Sequence, residues 1–159
     1  MREAFRTGAS FGLTSGVLTT LGLIVGLYAG TRSKVAVVGG IFTIAVADAL
    51  SDALGMHVHE ESENEHTPQE IWAASGATFI TKLATSLSFL VPVLALELPL
   101  AVVASVAWAF ALLAWLSYRL AVSQGASPWR AIAEHLAIAA VVVAVTHLIG
   151  AWVADTLMS

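Results

Sequence analysis

The sequence predicts an all-helical membrane protein whose single domain, residues 1–159, crosses the bilayer five times in each protomer. Three observations carry that prediction. Of the 159 residues, 58% are apolar and only 11% are Asp, Glu, Lys or Arg, whereas a soluble domain carries about a quarter charged residues. Mean hydropathy is +0.84. A spanning helix needs about 20 apolar residues, and the polar residues of this chain divide it into five such stretches. The same composition argues against other classes. Seven Lys and Arg without a basic cluster give no nucleic-acid footprint. With no cysteine, disulfides, thiolate metal sites and thiol catalysis are excluded. No nucleophile–base pair or cofactor motif is visible, so neither an enzyme nor a tightly bound cofactor is expected.

The first span covers about residues 9–30 and carries no charge. Arg2 and Arg6 precede it, but no small-residue cleavage site follows a short apolar core, so it reads as a retained helix. Thr31-Arg32-Ser33-Lys34 ends it. The second span, 35–58, is apolar except for Asp48 and Asp52, and leads into an acidic loop at 57–70 with five acids, three histidines and no Lys or Arg. Thr67-Pro68-Gln69-Glu70 opens the third span with a capping residue, a proline suited to the first helical position and a capping-box glutamate. That span runs over 70–96 with Lys82 and Pro92 inside it. Glu97-Leu98-Pro99 is a short break, the fourth span covers 100–122, and Ser123-Gln124-Gly125-Ala126 is a turn. Ser127-Pro128-Trp129 repeats the cap-then-proline signal for the fifth span, 129–155.

Five spans put the termini on opposite sides. With the N-terminus inside, Arg2, Arg6, Arg119 and Arg130 face the cytoplasm against Arg32 and Lys34 outside, as the positive-inside rule prefers. Trp72 and Trp129 then lie at the cytoplasmic interface and Trp152 near the other. The expected location is the cell membrane, multi-pass, with the acidic loop in the cytoplasm.

Gly8, Gly12 and Gly16 repeat at a spacing of four, as do Gly22, Gly26 and Gly30. Small residues at that spacing let membrane helices approach closely. The six-residue step between the series turns the second stripe to another face, so the first span is expected to be central, against two neighbours or at a homodimer interface.

A charge at mid-bilayer costs ~2.5–3.5 kcal/mol on insertion scales, so such residues usually have a partner or a task. Asp48 and Asp52 stand four residues apart on one helical face. Continuing down that face gives Met56, His59 and Glu63, and with Glu60 these supply carboxylate, thioether and imidazole ligands suited to a divalent transition metal. The competing reading is a buried ion pair of one aspartate with Lys82, which shares a polar stripe with Ser75, Thr78 and Thr85 or Ser86; a lysine there would also balance charge in an empty metal site. Glu60, Glu61, Glu63 and Glu65 would gather cations at the mouth, against the plainer reading of a solvated acidic connection. In the fifth span, His135 and His147 are twelve residues apart and so lie on different faces. His147 is the deeper, either a polar site or a packing histidine. Glu134, one turn in, suits the helix dipole.

Three stretches resemble the vacuolar iron transporter family: Gly12-Leu-Thr-Ser-Gly-Val-Leu-Thr-Thr-Leu-Gly-Leu-Ile-Val-Gly26, Val46-Ala-Asp-Ala-Leu-Ser-Asp-Ala-Leu-Gly55, and Ser127-Pro-Trp-Arg130 through Thr146-His-Leu-Ile-Gly150. The Val91-Pro92 region is similar to its third helix. The resemblance implies a five-helix protomer, dimerisation through the first helices, and export of Fe2+ or Mn2+ from the cytosol in exchange for protons. Against the family pattern, Ser15-Gly16 replaces an Asp-Gly pair, Ser51-Asp52 replaces Ser-Met, and Gly55-Met56-His57 replaces Gly-Glu-Tyr. The long cytoplasmic metal-binding insertion is reduced to 57–70.

The function expected from these readings is transport of Fe2+ or Mn2+ as substrate. Asp48, Asp52, Met56, His59, Glu60 and Glu63 would be ligands and Lys82 the counter-charge, with Ser15, His147 and Glu134 as further polar positions. The expected partners are the bilayer, divalent cations and a second copy docked through the glycine-rich first helix. The alternative is a non-transporting metal sensor or scaffold on the same fold.

Overall fold

Six helices follow one another: α1 (Arg2–Thr31), α2 (Lys34–Glu63), α3 (Pro68–Ser88), α4 (Leu90–Ala95), α5 (Leu98–Ser123) and α6 (Pro128–Leu157). They come from a computed structural model that describes residues 1–63 and 65–157, and no strand occurs among the described residues. Five helical stretches are long and apolar enough to cross a membrane, α3 and α4 counting together as one. The chain therefore has the build of an integral, multi-pass membrane protein.

Two boundaries differ from the sequence expectation. First, α2 runs on to Glu63, so the first half of the expected acidic loop is helix. His57–Glu63 contains no glycine or proline, and glutamate is a good helix former. Before α3, Thr67 has the extended backbone (φ −72°, ψ 154°) favoured before a proline. There Glu70 Oε2 accepts from the Thr67 amide at 3.2 Å and from its hydroxyl at 2.9 Å, which anchors the start of α3. Second, the third span is two helices. Pro92 has no N–H to give to the Ser88 carbonyl, and its ring crowds that oxygen. The helix stops at Ser88, the Phe89 amide turns to Ser86 O at 3.2 Å, and α4 resumes at Leu90. The Ser88 hydroxyl fastens the break, donating to Thr85 O at 2.6 Å and accepting the Trp108 indole N–H of α5 at 3.0 Å.

The first span is central, and its two glycine stripes have two neighbours. A Cβ placed on Gly12 would lie 2.5 Å from the Thr78 carbonyl oxygen of α3, and one on Gly16 would lie 3.2 Å from that of Lys82. Toward the other end, a Cβ on Gly22 would meet Thr146 and Val142 of α6 at 3.2 Å, and one on Gly30 the Gly150 carbonyl at 3.3 Å. Residue numbers rise together in both contacts, so α1 runs parallel to α3 and to α6. Each stripe therefore has a neighbour within the chain, and Gly22, Gly26 and Gly30 also line an apolar groove beside α6. Around α1 the core is built from Val17, Leu21, Ile24, Val37, Ile41, Phe89, Val93 and Leu113. By contrast, α6 buries only Ala139 and Gly150, and Phe42, Val46, Leu50 and Leu54 of α2 face outward, as apolar side chains do where lipid covers them.

Candidate functional site

Among the described residues one buried charge lies in the middle of the bundle, and its surroundings follow from the helix registers. Lys82 sits halfway along α3, wholly buried, on a face that also buries Ser75, Thr78, Thr85 and Ser86. Gly16 of α1 leaves the gap through which its stem passes, because a Cβ there would stand 3.3 Å from Lys82 Cγ. The ammonium then meets three oxygens. It donates to Ser15 Oγ of α1 at 2.9 Å and in a very short contact to Asp52 Oδ2 of α2. It also lies 2.6 Å from Asp48 Oδ2. Two hydrogen bonds and a second carboxylate within ion-pair distance compensate the buried ammonium, which is how a buried charge offsets its desolvation penalty.

The acceptors are less completely used. Asp48 Oδ2 is buried yet has no hydrogen bond of good geometry, so its contact with the ammonium is one of charge alone. Two carboxylates against one ammonium leave a formal charge of −1. The Asp48 side chain is 27% exposed and opens into a cavity of about 520 Å³ lined by Leu23, Gly40, Thr43, Ile44, Ala47 and Ser51. Asp52 is 20% exposed. The ion pair weighed from the sequence thus forms with both aspartates. Ser15, named only as a further polar position, belongs to this centre.

The remaining expected ligands stand elsewhere, which corrects the single-ladder reading. Met56 is buried with Ala4 and Ala74. His59 is exposed and faces Glu63 at 3.5 Å. Glu60 is buried and lies 3.1 Å from His66 Nδ1, a histidine that the sequence reading did not single out; His66 is also 3.9 Å from Glu63. The reason is helical geometry. Each four-residue step advances about 40° around the axis, so Glu60 is turned about 120° from Asp48, and His59 is about 16 Å further along. Among the described residues no group of three or more His, Asp or Glu side chains is placed to hold a metal ion. Glu134 is paired with Arg130 at 2.9 Å on the surface, and His147 is exposed on α6. His135 instead meets Ser117 of α5 at 2.6 Å.

Fold and centre together define a class, a helical membrane protein with a carboxylate–lysine cluster inside its spans. Neither the protein-family models nor the curated proteins compared with this chain match it.

Proposed function

We propose that this protein carries a divalent transition-metal cation, Fe2+ or Mn2+, across the membrane, out of the cytosol and in exchange for protons, with Asp48 and Asp52 as its binding pair. The observation that carries this reading is the buried, unsatisfied Asp48 Oδ2 beside an ammonium that already occupies the position of a cation. Hard carboxylate oxygens suit Mn2+ and accept Fe2+. On arrival of the metal, Lys82 gives up its two carboxylate contacts and keeps Ser15. A divalent ion changes the formal charge of the centre from −1 to +1, so the lysine limits the site to one ion. When the metal leaves, the carboxylates are where protons are taken up. Glu61, Glu63 and Glu65, exposed near the end of α2, attract cations to that end.

The test is flux into proteoliposomes containing the purified protein. Wild type is expected to move Mn2+ or Fe2+, and Asp48→Asn with Asp52→Asn to abolish the movement. Absence of flux in the wild type, or unchanged flux in the double variant, refutes the proposal. A second reading, a non-transporting scaffold or metal sensor on this fold, is favoured by the way Lys82 already closes the carboxylate pair. Saturable metal binding or a purely structural ion pair, each without flux, would distinguish it.

A further inference from the structure

A second cavity, of about 520 Å³, lies between the start of α1, the middle of α3 and the end of α5, and its charge is of the opposite sign. Arg6 and Arg119 both line it, with Tyr118 and Ser123 beside them and no acidic residue in its wall. The chain has seven basic residues, and most are already engaged. Lys82 has its carboxylates, Arg130 has Glu134, Arg32 lies 4.4 Å over the Tyr28 ring, and Lys34 donates to Leu96 O at 2.9 Å. Arg6 and Arg119 make no ion pair among the described residues, yet they open into one space. Ser10 and Thr81 add two hydroxyls, and the remaining wall is apolar, including Phe5, Leu13, Trp115 and Leu116.

We propose that this cavity binds an anionic phospholipid, its phosphate held by Arg6 and Arg119 and its acyl chain lying on Leu13 and Trp115. A guanidinium pair matches phosphate oxygens by charge-assisted, bidentate hydrogen bonds. The mostly apolar wall fits the hydrocarbon of an amphiphile better than a free ion. Position agrees as well: Arg6 stands in the second turn of α1 and Arg119 in the last turns of α5, so both lie at the headgroup level of the same membrane face. That face is the one the arginine count assigns to the cytoplasm, where anionic lipids concentrate. Along α1 Arg6 stands about 14 Å from Ser15, while the apolar end of the cavity reaches Leu13, and two positive charges at its mouth disfavour it as a stop for a metal cation.

Native mass spectrometry of the full-length protein, released from detergent with added phosphatidylglycerol or phosphatidylcholine, tests this directly. About 1 kcal/mol for each arginine corresponds to about fivefold in retention, so wild type is expected to prefer phosphatidylglycerol by an order of magnitude or more. Arg6→Gln with Arg119→Gln is expected to erase that preference, while Arg2→Gln with Arg130→Gln, on the same membrane face but outside the cavity, preserves it. Equal retention of the two lipids by wild type overturns the proposal without recourse to any variant. Equal loss in both double variants overturns it too, because the attraction is then general to the surface. Displacement of phosphatidylglycerol by millimolar inorganic phosphate would show a site for the free anion instead, and also overturn it.

Discussion

Lys82 concentrates the chemistry of this protein at the scale of a single residue. Its ammonium is wholly buried and is held by Ser15, Asp52 and Asp48 from two other helices. Removing one member of such a group leaves charge without compensation, at about 3–5 kcal/mol. Lys82→Met is therefore expected to lower stability in detergent by that amount, read from thermal unfolding, and a further Asp48→Asn/Asp52→Asn change to recover most of it. If the pair is a metal site, Mn2+ raises the melting temperature of Lys82→Met, because the ion takes the vacated place. Ser15→Ala removes one hydrogen bond to a charged group and is expected to cost less, about 1.5–3 kcal/mol. Asp48, Asp52 and Lys82 were legible in the sequence because charges within apolar stretches are conspicuous. That a single lysine serves both aspartates was not, because the rotation of α3 relative to α2 decides it.

At the scale of the helix, glycine placement separates close contacts from open ones. The Gly12 position has the Thr78 carbonyl where a Cβ would need room, whereas Gly39 and Gly55 of α2 have nothing within 4 Å. Gly12→Ala should force α1 and α3 apart and destabilise by about 1–3 kcal/mol. Gly39→Ala should instead be neutral or stabilise by up to about 1 kcal/mol through helix propensity; unfolding in detergent compares the two. Both stripes on α1 could be read from their four-residue spacing, and the step between them correctly implied two neighbours. The break at Phe89 was within reach of the sequence, since Pro92 carries its cause, but reading 70–96 as one span passed over it. The ligand ladder on α2 failed for a reason of distance. Residues on one helical face share a direction and not a location, and Met56 and Glu60 turn toward α1 and His66 rather than toward Asp48.

For the whole molecule, five crossings, each antiparallel to the one before it, put the connections at alternate faces. Glu97, between α4 and α5, and Gln124, between α5 and α6, are both exposed and lie on opposite sides. The chain has no native cysteine, so Glu97→Cys and Gln124→Cys report topology without background. With four arginines against Arg32 and Lys34, a membrane-impermeant maleimide added to intact cells is expected to label the cysteine at 97 and reach that at 124 only after permeabilisation. The reverse pattern inverts the orientation and, with it, the direction assigned to export. The sequence by itself determined the membrane class, the number of spans, the placement of the buried charges and the two glycine stripes. These depend on hydropathy and on helical period, which act over neighbouring residues. Tertiary structure alone decided which helix meets each stripe, that Lys82 closes on both aspartates and Ser15, that the expected ligands divide into two groups, and that Arg6 and Arg119 share a cavity. Each of those pairs residues far apart along the chain, and only the packing of one helix against another sets the rotation and depth that bring their side chains together.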